Sequence, residues 1–195
     1  TDGVSSTGGK ESAIAKAAAI NAISGQTGVT AAATKTVVTG LAATTTTAIA
    51  SDITINGVGI GAVDTGTAIE KGNNLAAAIN KVSGQTGVTA TFSTTDGALS
   101  LTAADGRNIT VAGTVADTGL TAQTSYGGLK LSSTSSAGIT LGGGEIANAG
   151  LTAGYTAATA SAGGGVAAID SSSAAGAQNA LETIGAAIAT ISSSR

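Results

Sequence analysis

The chain contains one 15-residue segment twice, and this duplication constrains the fold more than any other feature of the sequence. AAAINKVSGQTGVTA spans residues 76–90, and AAAINAISGQTGVTA spans residues 17–31, 59 positions earlier. The two copies differ at only two positions, Ala22/Lys81 and Ile23/Val82. So close a repeat in a chain of 195 residues indicates one small supersecondary unit that is used twice.

The second copy begins inside a predicted helix. Thr67 and Glu70 have the spacing of a capping box, which places the start of the helix there. Its apolar stripe is predicted to be Ala68, Gly72, Leu75, Ile79 and Val82, and its polar residues, Lys71 among them, to lie mostly elsewhere around the axis. Gly84 suits a left-handed residue after the last turn and predicts the end of the helix.

From Gly87 onward the pattern alternates, which is typical of a strand with Val88, Ala90 and Phe92 on one face. Asp96-Gly97 predicts a two-residue hairpin loop that sets Phe92 opposite Leu101.

At the next turn, a three-residue loop over residues 105–107 would set Ala103 opposite Ile109 and Leu101 opposite Val111, so a bulged hairpin is expected there. Residues 52–57 (DITING) are predicted to form a short strand that closes in a glycine turn before the helix. The unit is therefore expected to be a strand, a helix and a three-strand meander.

The first copy is expected to hold a helix from near Lys10 to near Ile23, followed by a strand from Gly28 toward Gly40. Nothing upstream of it corresponds to the strand at residues 52–57. Two explanations stay open: the chain was cut from a longer protein within a domain, or a strand from elsewhere fills the gap.

The remaining sequence is predicted to be a connector over residues 112–126, short strands at 128–133 and 138–142, and an irregular glycine-rich loop over 142–165. Residues 170–195 then carry apolar side chains at intervals of three and four, which is typical of a coiled-coil-like helix. The expected assembly seam of this helix is Leu181, Ile184, Ile188 and Ile191.

These patterns predict an α+β fold in which two small repeated units each pack one helix on a short, mostly antiparallel sheet, with an amphipathic helix at the C-terminal side. The expected division of the chain is 1–51 for the first unit, 52–112 for the second, 113–169 for a connector with a short β-hairpin and a Gly-rich loop, and 170–195 for the start of a core helix.

Composition excludes several classes of function. The net charge is −3, and the 8 Lys and Arg residues form no basic stripe, so no nucleic-acid partner is expected. No apolar run reaches the 18 residues typical of a membrane span. The chain has no His and no Cys, which removes the usual general base, the commonest zinc ligand and thiol chemistry. Neither catalysis nor a cofactor is expected.

Two motifs resemble ligand sites, but both are explained more simply by turns. Gly57, Gly59 and Gly61 suggest a phosphate loop, yet they lack the third glycine of the dinucleotide fingerprint and the Gly-Lys-Ser/Thr ending of a P-loop. The aspartates Asp96, Asp105 and Asp117 lie outside any EF-hand pattern and are expected in turns.

Two kinds of residue could carry or bind sugars. Asn108-Ile109-Thr110 matches the N-glycosylation sequon, but such short matches arise by chance and Ile109 looks like a strand residue. Hydroxyl clusters at 44–47, 132–136 and 192–194 offer acceptors for O-linked glycans, but ordinary polarity of exposed strands and loops is the favoured explanation for any single residue. A glycan-binding role would instead involve residues around Tyr126 or Tyr155.

The run at residues 170–195 resembles the place where bacterial flagellins return from their outer domains into the C-terminal core helix. The strand at 52–57, with the AAAIN helix and the SGQTGVTA strand, is similar to the repeat of flagellin and hook-associated outer domains. The chain lacks the long N-terminal helices of that family.

The resemblance implies an extracellular structural subunit of the bacterial flagellum, whose partners are other flagellin subunits and, on its surface, O-linked glycans. The alternative is an adhesin or hook-associated binding module that uses the same repeat.

Overall fold

The structure is a computed structural model, and it describes residues 1–42, 52–64, 66–133, 135 and 137–157. The predicted helix at 170–195, with the seam residues Leu181, Ile184, Ile188 and Ile191, lies outside the described residues. So do the hydroxyl clusters at 44–47 and 192–194. These expectations stay predictions, as does the division of the chain into four segments.

Helices and strands alternate irregularly along the described chain. The helices are α1 (Ala13–Ala22), α2 (Ser24–Thr27), α3 (Ala68–Lys81), α4 (Ser83–Thr86) and a 3₁₀ helix at Ile146–Ala149. The strands are β1 (Val29–Ala33), β2 (Thr36–Ala42), β3 (Thr54–Ile55), β4 (Val58–Gly59), β5 (Thr89–Phe92), β6 (Ala98–Ala103), β7 (Ile109–Ala112), β8 (Gln123–Ser125), β9 (Leu129–Ser133), β10 (Ile139–Leu141) and β11 (Gly154–Thr156).

The described strands form four small sheets in which every pair is antiparallel. Their strand orders are β2-β6-β5, β4-β3-β7-β8, β1-β9 and β10-β11. The mixture of a few helices with several small antiparallel sheets confirms the predicted α+β class. Within the described ranges, no helix combines the length and the apolarity needed to cross a bilayer.

Helix α3 starts as predicted, because Thr67 and Glu70 form a complete capping box. Two details of its prediction are wrong. Lys71 is fully buried, whereas Ala68 is exposed, so the buried face is Lys71, Gly72, Leu75, Ala76 and Ile79. The glycine in the left-handed conformation is Gly87, with φ of 70°, because the chain continues from α3 into α4, which contains Gly84.

The hairpin between β5 and β6 has a longer loop than expected. Phe92 pairs with Leu99 rather than Leu101, and the backbone of Ser93 bonds that of Ala98, which leaves four residues in the loop. The shift is by two residues, so every side chain keeps its face. Hydrophobic alternation cannot distinguish these two registers.

The expected bulged hairpin between β6 and β7 is wrong, and with it the three-strand meander. The second neighbour of β6 is β2, and β7 pairs with β3 and β8 in another sheet. Leu101 and Val111 are both buried in the same core without pairing with each other. Alternation predicted which side chains point inward, but not which strand lies beside which.

The first copy and the later segments also differ from expectation. Helix α1 begins at Ala13, because Ser12 caps it by accepting from the Ala15 amide. The strand expected from Gly28 toward Gly40 is two strands, β1 and β2, in different sheets. The expected connector at 112–126 contains β8, and the expected loop at 142–165 contains a 3₁₀ helix and β11.

One apolar core lies among α3, the β2-β6-β5 sheet and the strands β3 and β7. Its buried members are Val38, Ile53, Ile55, Ile60, Val63, Leu75, Ala76, Ile79, Val88, Ala90, Leu99, Leu101, Ala103, Ile109, Val111 and Leu120. Among the described residues, α1 and β1 of the first unit bury only small side chains, Ala13, Ala17 and Ala31. Most of the hydrophobic stabilisation therefore resides in the second unit.

Candidate functional site

The repeated segment is held together by one asparagine in each copy. Asn80 of α3 donates from Nδ2 to the Ala90 carbonyl at 2.9 Å and accepts from the Ala90 amide at 2.8 Å. Asn21 of α1 makes the same two bonds to Ala31, at 2.8 and 2.7 Å. Each asparagine thus ties its helix to the outer edge of the strand that follows and satisfies backbone groups that another strand would otherwise bond.

The turn between helix and strand is repeated as closely. Thr86 donates to the Val82 carbonyl at 3.2 Å and accepts from the Val88 amide at 3.1 Å. In the first copy the corresponding residues are Thr27, Ile23 and Val29, with both bonds at 3.2 Å. Gly28 and Gly87 then take left-handed φ angles of 67° and 70°, which side chains adopt at a cost.

These contacts explain why the two copies are nearly identical. The asparagine, threonine and left-handed glycine all lie within the repeated letters, and each makes the same contact twice. At the first differing position, Ala22 and Lys81 are both exposed. At the second, Ile23 is 47% exposed, whereas its counterpart Val82 is partly buried against the core.

A strand from elsewhere in the chain completes the first unit. β9 pairs with β1 so that Ala31 faces Leu131 and Ala33 faces Leu129. In the second unit, β6 places Leu101 and Leu99 opposite the corresponding residues, Ala90 and Phe92.

Side-chain contacts follow the same correspondence. Thr30 donates to the Ser132 carbonyl at 3.4 Å, and Thr89 donates to the Thr102 carbonyl at 3.3 Å. β9 therefore takes the place of β6 in the first unit. It does not take the place of β3, the strand whose counterpart the first copy lacks.

The second unit has additional hydrogen bonds around its helix-to-strand turn. Asn56 donates to the Thr86 carbonyl at 2.9 Å and accepts from the Thr110 amide at 2.8 Å. Arg107 also reaches the Thr86 carbonyl and pairs with Asp105 at 2.7 Å. Partial burial raises the pKa of Asp105, but the hydrogen bonds and charge of Arg107 outweigh it and hold that pKa below its usual value.

The glycine motif has a conformational role. Asn56 and Gly57, with φ of 51° and 81°, form the two-residue turn of the β3-β4 hairpin. Gly61 also has a positive φ, of 80°, and Gly59 lies in β4. The three glycines are thus used by turns and a strand, in agreement with the simpler interpretation.

The three candidate calcium aspartates lie at turns. Asp96 accepts from the Ala98 amide at 3.1 Å, Asp105 pairs with Arg107, and Asp117 has a positive φ of 66°. In the part of the chain that the structure describes, no group of three or more His, Cys, Asp or Glu residues could hold a metal ion.

The sequon asparagine is buried. Asn108 is 1% exposed, and its Nδ2 donates to the carbonyls of Thr7 and Gly8, both at 2.9 Å. Its backbone amide donates to Ser5 Oγ at 3.0 Å. In the folded chain this side chain holds the N-terminal loop, which is the segment before α1, and is not accessible to a glycosyltransferase.

In the hydroxyl cluster at 132–136, some of the described side chains are exposed and one is engaged in a hydrogen bond. Ser132 and Ser135 are exposed, but Ser133 donates to the Gly28 carbonyl at 2.8 Å. The Ser133 hydroxyl therefore stabilises the pairing of β9 with β1. Ser132 and Ser135 are the described members of this cluster that solvent reaches most readily.

Tyr126 stands at the edge of an open cleft of about 390 Å³. The cleft lies where α1, the connection from β8 to β9 and the 3₁₀ helix meet. Its lining residues include the charged Glu11 and Lys16 and the glycines Gly127, Gly128 and Gly150. Tyr126 is 49% exposed. Tyr155, 62% exposed in β11, is not part of its lining.

Sequence reasoning missed the burial of Lys71, which is fully enclosed and engaged in a contact. The sequence did contain the clue, because Lys71 lies four residues before Leu75 and therefore on the same side of α3.

The paired units, stabilised by backbone-directed polar side chains, define a small repetitive α+β module. Residues 52–105 match the family model described as the flagellin hook IN motif. Those residues cover β3 through β6 and include the second copy of the repeat, and the match supports a likeness to flagellin in this part of the chain. No curated protein matches the chain at a significant level.

Proposed function

We propose that this chain is the surface-exposed outer part of a bacterial flagellar filament subunit, with a structural role and no catalysis. The flagellin hook IN match at residues 52–105 carries the proposal. It is supported by the hydrogen-bond pattern of that unit, which recurs around Asn21 although the family match does not extend there.

The chemistry of the chain fits a structural role. The polar side chains of the repeat are directed at backbone groups: Asn80 binds Ala90, Thr86 binds Val82 and Val88, and their counterparts do the same. Such groups stabilise a shape and leave little for a substrate. The partners in this proposal are other flagellin subunits, reached through a core that includes the seam Leu181, Ile184, Ile188 and Ile191, and the location is extracellular.

Cysteine labelling of assembled flagella tests this proposal, because the chain has no native Cys. Gln85→Cys places a thiol on the exposed surface of α4, and Ala90→Cys places one in the core as a matched control. A membrane-impermeant maleimide should label Gln85→Cys on intact filaments and should label Ala90→Cys only after denaturation.

Two results would contradict the proposal. In the first, the protein is absent from purified flagella. In the second, Gln85→Cys reacts in dissociated subunits but not in filaments, which would place the repeat at a subunit interface rather than on the outside.

A further inference from the structure

We propose that the Tyr126 cleft is a saccharide-binding site that takes one or two rings of a neutral sugar. This inference goes beyond the structural role proposed above and does not depend on it. A filament subunit with such a site would also bind glycans on surfaces that the filament touches.

The cleft offers the groups that a pyranose needs. The Tyr126 ring is an amphipathic platform, half exposed, for the apolar face of a sugar ring. The lining residues also supply three kinds of polar group: the carboxylate of Glu11 only accepts hydrogen bonds, the ammonium of Lys16 only donates them, and the hydroxyl of Tyr126 does both. Sugar hydroxyls, which also do both, can bond all three.

Charge favours a neutral ligand. One carboxylate and one ammonium line the cleft, so neither an anion nor a cation gains a net attraction there. The net charge of −3 also opposes phosphate-rich ligands. A volume of about 390 Å³ lies at the lower end of the range for ligand pockets, which suits a mono- or disaccharide.

The fold holds the tyrosine in place. A Cβ at Gly8 would lie 3.1 Å from Tyr126 Oη and 3.2 Å from its Cε1, so the ring already packs against the N-terminal loop. That loop is fixed by Asn108, which bonds both Thr7 and Gly8. The platform is thus pre-organised, which lowers the entropic cost of stacking a sugar on it.

Tyrosine fluorescence can report binding to the cleft, because the chain has few aromatic residues. There are two Tyr and no Trp, so Tyr155→Phe leaves Tyr126 as the one tyrosine reporter. In that background, tyrosine emission is titrated with the methyl glycosides of glucose, galactose and N-acetylglucosamine and with maltose. At least one should give a saturable change with a Kd on the order of millimolar, as expected for a small ligand in an open site.

Variants then assign the binding to the cleft. Glu11→Gln and Lys16→Met should each weaken binding by about tenfold or more, since each removes a charged hydrogen-bond partner. Lys81→Met, an exposed lysine of the second unit, should leave the Kd unchanged. Tyr126→Ser should abolish binding. Because this variant lacks the tyrosine reporter, its binding is measured from the NMR shifts of the Gly127, Gly128 and Gly150 amides.

Several outcomes would overturn the proposal. They are the absence of a saturable change with every glycoside, an equal response to glycerol, and affinities unaffected by both Glu11→Gln and Lys16→Met. Circular dichroism and urea unfolding of each variant would show that the fold is intact.

Discussion

Gly72 of α3 lies so close beneath the ring of Phe92 in β5 that a methyl group at position 72 would overlap the ring. In the first unit the residues at the corresponding positions, 59 earlier, are Ala13 and Ala33. The two units thus fill the same space between helix and strand differently: one uses a glycine and a large ring, the other two methyl groups.

The pair predicts strong coupling between positions 72 and 92. Gly72→Ala should destabilise the fold by about 1–3 kcal/mol through overpacking, although alanine favours a helix over glycine by about 1 kcal/mol. Phe92→Ala should cost a similar amount, about 1–3 kcal/mol, because the ring is half-buried. The double variant copies the first unit and should cost less than the sum, by about 1 kcal/mol or more.

Urea unfolding of the two single variants and the double variant measures this coupling. Gly84→Ala is the matched control, because a Cβ there meets no atom within 4 Å. It should be neutral or slightly stabilising. Strictly additive losses for the pair would show that the ring relaxes away from the helix.

The two hydrogen bonds between Asn80 and the backbone of Ala90 predict a large effect from one polar side chain. Asn80→Ala should lower the free energy of unfolding by about 1–3 kcal/mol, because it leaves the amide and carbonyl of Ala90 without these partners. Asn74→Ala removes an exposed asparagine from the same helix and should have little effect. Equal losses of unfolding free energy for both variants in urea unfolding would refute this role of Asn80.

Completion of the first unit by β9 predicts a local effect of mutation. The Ala31 amide bonds Asn21, so the alternating pattern directs the amides of Thr30 and Ala32 toward β9. Leu131→Ser should speed hydrogen exchange at these two amides by about tenfold or more through local opening.

The amides of β5 should not respond to Leu131→Ser, since β5 pairs with β6. Lys130→Ser, an exposed position of the same strand, is the control and should leave the exchange at Thr30 and Ala32 unchanged. Uniform acceleration throughout the chain would mean that Leu131 supports the whole fold rather than the first unit.

The N-terminal loop predicts a dependence of stability on pH. Partial burial raises the pKa of Asp2, but hydrogen bonds from Ser12, Ser5 and the amides of Ser5 and Val4 outweigh it and hold that pKa well below its usual value. A lowered folded-state pKa stabilises the fold above the unfolded-state value, and the contribution is lost as pH falls through the folded-state value.

Asp2→Asn should therefore lower the urea midpoint at pH 7, where the carboxylate is charged in both states. The difference from the parent should shrink as the pH falls below about 4, the ordinary pKa of an aspartate. Asp64→Asn, at an exposed position, is the control. A difference for Asp2→Asn that is the same at pH 7 and at pH 3 would contradict the assignment.

Sequence alone determined the local structure of the repeat. The capping box of Thr67 and Glu70, the Asn56-Gly57 turn and the inward faces of β5 and β6 follow from contacts between residues near in sequence. Such contacts have sequence signatures because the interacting residues sit at fixed spacings. The part of the flagellin resemblance that was drawn from the repeat agrees with the family match at 52–105. The part drawn from residues 170–195 stays a prediction.

Only the tertiary structure decided which strands are neighbours and what surrounds Tyr126. β9 joins β1 across about a hundred residues, and β2 rather than β7 lies beside β6. The cleft likewise gathers Glu11, Tyr126 and Gly150 from three distant segments. Alternating apolar residues determine which face of a strand is buried. The backbone hydrogen-bonding groups at its edges are the same for every partner strand, so the choice of partner depends on how the whole chain packs.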